Sequence, residues 1–187
     1  MPERPAPRTV SRFRPAPRPD DPVYAPVPDD GLCLNVFVIL TDAARSNRVV
    51  MGRIDPTADW RHIGGMTAGR IQETATRWML PSRQLFVFES PTDAARSILK
   101  EQLGLDPLPL EGPKVTSEVW QRPKPAGTGP HWDLSFLYSG TWPAGRPLAS
   151  PPWKELAFLD TATLDPATVG RSHADVLALA GYPARRT

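Results

Sequence analysis

The chain has 187 residues, 40% of them hydrophobic, and 22 basic against 20 acidic side chains leave a net charge of +2. That apolar content suffices for one cored domain, and the charge is too balanced for a polyanion-binding surface, so wholesale disorder and nucleic-acid binding are not expected. The lone Cys33 excludes a disulfide framework and a cysteine zinc cage, and the longest apolar run, Leu32 to Leu40, is interrupted by Asn35 and falls short of the ~18 residues of a membrane span.

Nine of the 24 prolines fall in Met1–Asp30, which repeats RPAPR at Arg4–Arg8 and Arg14–Arg18. Proline favours an extended backbone, and the dispersed Val10, Phe13, Val23, Tyr24 and Val27 cannot nucleate a core. Residues 1–30 are therefore predicted to be a disordered arm, either a solvated terminus or a proline-motif or electrostatic contact for a protein partner. The arm has no apolar segment of the signal-peptide kind, so a cytoplasmic protein without membrane attachment is expected. Residues 31–187 are the predicted domain.

Gly31–Leu40 is apolar and β-branched and reads as a buried strand, with Arg48–Ile54 pairing back on it as a hairpin. Asp55–Arg77 carries the turn signals Asp55-Pro56 and Gly64-Gly65 and is predicted to be a loop with one short helix at most. Trp78–Pro81 and Gln84–Phe88 read as short strands. Ser90–Gly104 is the clearest helix: Ser90 suits the N-cap, Pro91 the first helical position, Asp93 the returning cap and Gly104 the left-handed stop. Val115–Gln121, His131–Ser139 and Glu155–Asp160 read as further strands, Arg122–Pro130 as a loop and Ser172–Ala180 as a closing helix. Mixed strands with a central and a terminal helix predict an α/β or α+β sandwich.

Around that helix the chain resembles the Nudix superfamily. The family's box runs Gly, five residues, Glu, seven residues, then Arg-Glu-apolar-x-Glu-Glu-x-Gly-apolar, after a Trp-x-Leu-Pro lead-in. Here Trp78-Met79-Leu80-Pro81 matches the lead-in, Glu89 the first Glu, Leu99 the apolar position, Glu101 the next Glu and Gly104-Leu105 the end. HWDLSFLYSG and KELAFLDTATL resemble the flanking strands, so the likeness spans roughly Gly31 to Gly181. It implies a Nudix-like α/β/α sandwich with a mixed β-sheet, and a hydrolase of nucleoside diphosphates linked to another moiety, with Mg²⁺ or Mn²⁺ as cofactor.

The departures bear on chemistry. The box glycine is Arg83, the Arg-Glu pair is Ser97-Ile98, and the second of the paired glutamates is Gln102. On a helix, positions i, i+3 and i+4 share a face. The resemblance puts metal-holding carboxylates there; in this chain those positions are Ile98, Glu101 and Gln102. Glu101 and Glu89 are the candidate metal ligands. Glu101, Glu89 and Glu155 are the candidate catalytic residues, with Glu118 and Asp133 as further strand-borne carboxylates. Arg53, Arg77, Arg83 and Arg96 flank the elements that wall a diphosphate pocket in this fold, and guanidinium groups suit phosphate oxygens, so they are the candidate substrate-binding residues. His62, His131 and His173 form no constellation in the sequence. Trp60, Trp120 and Trp132 suit either core packing or base stacking, and Cys33 reads as an inert buried thiol.

Two functions follow: a divergent Nudix-type hydrolase with a weakened metal site, or a catalytically inactive Nudix-like domain that binds a nucleotide-like small molecule or a protein partner. The loops that set specificity match no known motif, so the substrate stays open.

Overall fold

The computed structural model describes residues 12–13, 32–120, 131–143, 145–149, 151–170 and 173–183. Of the predicted arm it describes only the backbone of the two-residue strand β1 (Arg12–Phe13), which pairs antiparallel with Cys33 and Leu32; the remainder of the arm and the loop predicted over 122–130 lie outside the described residues.

The other elements follow as β2 (Leu32–Asp42), β3 (Arg45–Ile54), α1 (Trp60–Ile63), α2 (Ala68–Thr74), β4 (Ser82–Gln84), α3 (Pro91–Ser97), β5 (Glu111–Trp120), β6 (His131–Thr141), β7 (Trp153–Asp160) and α4 (His173–Ala180). The strands make one mixed sheet in the order β5-β6-β2-β3-β7, with β1 and β4 also pairing β2. β2 and β6 run parallel from Leu32↔Trp132 to Thr41↔Thr141, whereas the other strand pairings are antiparallel.

Strand alternation divides the core. Val36, Val38 and Leu40 pack with Ala94, Ala95, Ile98 and Leu99 of the central helical segment, while Phe37, Ile39, Val49 and Met51 pack with Ala174, Val176 and Leu177 of α4. The result is an α/β/α sandwich, as the resemblance implies.

The edge of β2 opposite β6 positions the site. β1, β4 and β3 pair in succession along that one edge, at Cys33, at Asn35–Phe37 and at Thr41–Asp42. Where β3 diverges from β2, the chain at 78–84 fills the gap. Met79 exchanges backbone hydrogen bonds with Gly52 of β3 at 2.8 and 2.9 Å, Pro81 accepts from the Val38 N–H at 3.0 Å, and residues 82–84 then join β2. The two strands predicted at 78–81 and 84–88 are corrected accordingly: one segment changes partner midway, and Pro81, lacking an N–H, cannot donate to a ladder. Glycine at position 52 makes room for the β7 side chains, because a Cβ there would meet Trp153 at 2.4 Å and Leu156 at 2.8 Å.

Two further differences matter. The predicted loop over 55–77 contains two helices, capped by the side chains of Asp59 and Thr67. The predicted single helix over 90–104 is α-helical only to Ser97 and widens into a π-turn at Ile98–Gln102. Widening alters the angular relation among Ile98, Glu101 and Gln102 that a uniform α-helix would impose.

Candidate functional site

Both ends of the central helix are built locally. The Ser90 Oγ accepts from the Asp93 N–H at 3.1 Å and donates to the Asp93 carboxylate at 2.6 Å. At the other end Gly104 takes φ +62°, and the Leu105 N–H reaches the Leu99 carbonyl at 2.9 Å, which closes the helix with a left-handed turn.

Of the three positions where the family resemblance puts carboxylates, two are core. Ile98 and Gln102 are both 0% exposed. The Gln102 amide is committed to the β4 backbone: its Nε2 donates to the Ser82 carbonyl at 2.9 Å, and its Oε1 accepts from the Ser82 N–H at 3.3 Å. Only Glu101 among the three reaches outward, with its side chain 31% exposed.

Arg83 meets Glu101. Because Arg83 is the register partner of Val36, strand alternation aims it at the face covered by the central helix. Its side chain is 0% exposed, with the guanidinium over the Phe86 ring at 4.9 Å from the centroid. One terminal nitrogen donates to Glu101 at 3.2 Å, and the other donates to Glu89. The second Glu89 oxygen accepts from the Phe86 N–H at 3.2 Å, which anchors the turn leading into α3. Phe88 within that turn is fully exposed and has φ +64°, a left-handed conformation that costs a bulky residue about 1–2 kcal/mol.

The remaining candidates do not gather around this centre. Glu155 lies on β7 opposite Arg53 of β3, 3.6 Å from its guanidinium, with both side chains more than two-fifths exposed. Arg53 also lies over the Trp78 ring at 4.6 Å. Arg77 donates to the Val169 carbonyl at 3.4 Å, and Arg96 pairs with Asp93 on the exposed side of α3. Glu118 and Asp133 face each other across β5 and β6, and Asp133 accepts from the Asn35 amide at 2.8 Å.

Trp60 is a core residue, edge-on to Trp153 at 4.9 Å, and Trp132 donates to Ser117 at 2.6 Å; the side chains of Trp120 and His131 lie outside the described residues. Cys33 is buried, with the Gln84 amide 3.6 Å from its sulfur.

His173 is buried, and its Nδ1 accepts from the Leu80 N–H at 2.8 Å. Burial, with the Arg70 charge adding to it, pushes its pKa down to about 3, so the ring is neutral and structural. A cleft of ≈750 Å³ opens where β2 and β6 end, between residues 108–111 and 181–183, and among the described residues Glu111 is the one charged side chain in its lining. Burial and the nearby Glu111 charge raise the Tyr182 phenol.

The donor set at the helix does not fit a divalent metal. Magnesium and manganese require several oxygen ligands around one point. Ile98 offers none, Gln102 spends both amide ends on Ser82, and Glu89 and Glu101 are joined to a guanidinium. Among the described residues no group of three or more His, Cys, Asp or Glu side chains is arranged to hold an ion.

Sequence reasoning assigned Arg83 to substrate and did not connect it with the glutamates. The available signal was the coincidence of an arginine at the box glycine with loss of the neighbouring carboxylates.

No family model matches this chain, and no curated protein is similar to it by sequence. Solved structures are similar in shape. The Escherichia coli dihydroneopterin triphosphate pyrophosphohydrolase matches with a TM-score of 0.50 at 14% identity, over 74% of this chain and 86% of that one. A MutT protein from Methanosarcina mazei matches with a TM-score of 0.49 at 10% identity, over 74% and 84%. A Nudix hydrolase from Nitrosomonas europaea matches with a TM-score of 0.46 at 13% identity, over 87% and 78%. The mixed sheet, the capped helix after the Trp-Met-Leu-Pro crossing and the first of these likenesses together identify the chain's fold as that of the Nudix superfamily.

Proposed function

We propose that this chain is a Nudix-fold domain that binds a nucleotide-like phosphorylated molecule without metal-dependent cleavage at its central helix. One observation carries the reading: Ile98 and Gln102, the two box positions that lack carboxylates, are fully buried and serve the core and the Ser82 backbone. Such positions cannot take up metal ligation without unpacking the helix from the sheet. Catalysis of phosphate transfer to water needs charge placed where the transition state develops it, and a helix face made of packing groups supplies none.

Binding requires less. Arg53 keeps a partly exposed guanidinium braced on the Trp78 ring, and its pair with Glu155 at 3.6 Å is the exposed kind that contributes little. Phosphate oxygens can replace that carboxylate on the Arg53 guanidinium.

A divergent hydrolase is the second reading. It is favoured by the shape likeness to a pyrophosphohydrolase and by the facing carboxylates of Glu118 and Asp133, which lie outside the helix. The two readings separate in one assay: phosphate and pyrophosphate release from a panel of nucleoside diphosphate and triphosphate derivatives with Mg²⁺ or Mn²⁺, alongside calorimetric binding in EDTA. The binding reading expects no metal-stimulated turnover and an affinity indifferent to EDTA that falls in Arg53→Ala. Metal-stimulated hydrolysis abolished by Glu101→Gln would overturn it.

A further inference from the structure

The cleft at the far end of the sheet holds groups that the central helix does not use. It opens where the parallel strands β2 and β6 end side by side, at Thr41 and Thr141. Thr41 lies five residues beyond Val36, the register partner of Arg83, which is about 16 Å along the strand. The volume of ≈750 Å³ falls in the range of small-molecule pockets, roughly 300–1,000 Å³. Leu108 and Pro109 give it apolar surface, and two of its polar groups have donors already spent. The Thr41 hydroxyl gives its one proton to the Gly140 carbonyl at 3.2 Å, and the Asn47 amide nitrogen donates to Asp160 at 2.9 Å. Both residues keep oxygen lone pairs for an incoming donor. Glu111 adds a carboxylate, and among the described residues no base forms an ion pair with it. Lys114, three residues on, gives its ammonium to the Leu179 carbonyl of α4 instead. The Glu111 charge also acts on the Tyr182 phenol, so the carboxylate and that ring lie within electrostatic reach of each other.

We infer that this cleft is a second binding site, for a small organic ammonium ion, with Glu111 as its counter-charge and Tyr182 as its aromatic wall. An ammonium group has three donors and no acceptor, which complements a wall whose free valences accept. A ring face carries the negative side of its quadrupole and attracts such a cation, and the neighbouring apolar residues suit a hydrocarbon body. The site is independent of the proposed nucleotide reading. Val49 pairs with Thr41, and Arg53 lies four residues farther along β3, away from the β2–β3 turn that borders the cleft.

The test uses the full chain and three probes with the same phenol body, namely tyramine as the cation, tyrosol as the neutral form and 4-hydroxyphenylacetate as the anion. Each is titrated at neutral pH while backbone amide shifts are followed by NMR. Tyramine should shift the amides of Glu111, Gly140, Thr141 and Tyr182 and saturate with a Kd of about 1–10 mM, as befits so small a molecule. Because a hydrogen bond to a charged group outweighs a neutral one, tyramine should bind at least about tenfold more tightly than the anion, with tyrosol between them. Glu111→Gln, at an exposed position, should bring the cation and the anion to similar affinity. Ser46→Trp, at an exposed position on the cleft wall, should weaken all three probes by filling the space. Tyramine shifts that do not saturate, or that fall on other residues, overturn the inference. So do equal affinities for cation and anion in the native chain, or a preference for tyramine that survives Glu111→Gln. Metal-stimulated hydrolysis by the native chain would sink the proposed function and leave this site untouched.

Discussion

Gln102→Glu restores a box carboxylate and should damage the protein. In the native chain the Gln102 amide donates to the Ser82 carbonyl at 2.9 Å and accepts from the Ser82 N–H at 3.3 Å, with the residue 0% exposed. A carboxylate keeps the acceptor and loses the donor. The Ser82 carbonyl then faces an oxygen instead of an N–H, and leaving such a buried group unsatisfied costs about 1–3 kcal/mol. Burial also raises the pKa of the introduced carboxyl, and each unit of that shift costs about 1.4 kcal/mol when the group is ionised. For a one-unit shift these together predict a loss of about 2–4 kcal/mol at neutral pH, a large part of the roughly 5–15 kcal/mol that holds a domain folded.

The pH dependence has a defined sign. With the folded-state pKa above the ordinary value of about 4.3, the protonated form is the one the folded chain favours, and a protonated carboxyl can donate to the Ser82 carbonyl. The deficit relative to the native chain should be smallest below about pH 4.3 and grow as pH rises through the folded-state value. Urea denaturation of both chains across that range measures it, with unchanged slopes confirming a native-state effect. A loss under about 0.5 kcal/mol at neutral pH would refute the Gln102–Ser82 clamp. Recovery with millimolar Mg²⁺ would refute the claim that this helix face does not hold metal.

Other perturbations test the surrounding structure. The His173 pKa of about 3 lies below the ordinary 6.5, so its contribution is complete above pH 6.5 and is lost as pH falls toward 3; about 2 kcal/mol should be gone by pH 5, and His173→Gln should flatten that part of the stability profile. Phe88→Asn, placed where φ is +64°, should raise stability by about 0.5–1 kcal/mol because Asn tolerates the left-handed region, and an unchanged or lower melting temperature would count against the strain. Ser90→Ala should cost about 1 kcal/mol by removing the cap of α3, and Ser90→Asn should recover most of it in the same melts.

The sequence by itself determined the elements whose causes are local. A Ser90-Pro91 start and a Gly104 stop delimit the central helix because cap chemistry acts within one turn, and the apolar, β-branched run at 32–40 becomes β2 because a strand buried on both faces needs no alternation. The box spacing likewise led to the fold. Tertiary structure decided the rest. The three-way sharing of one β2 edge depends on where β3 diverges, and the change of partner between Met79 and Ser82 follows from that divergence, which no window of sequence contains. Arg83 is six residues from Glu89 and eighteen from Glu101, and in sequence it reads as a substrate-binding arginine at the box-glycine position. Its pairing with Val36 decides otherwise, because register, not residue type, sets the face a strand side chain enters, and on that face an arginine must find carboxylates or unfold.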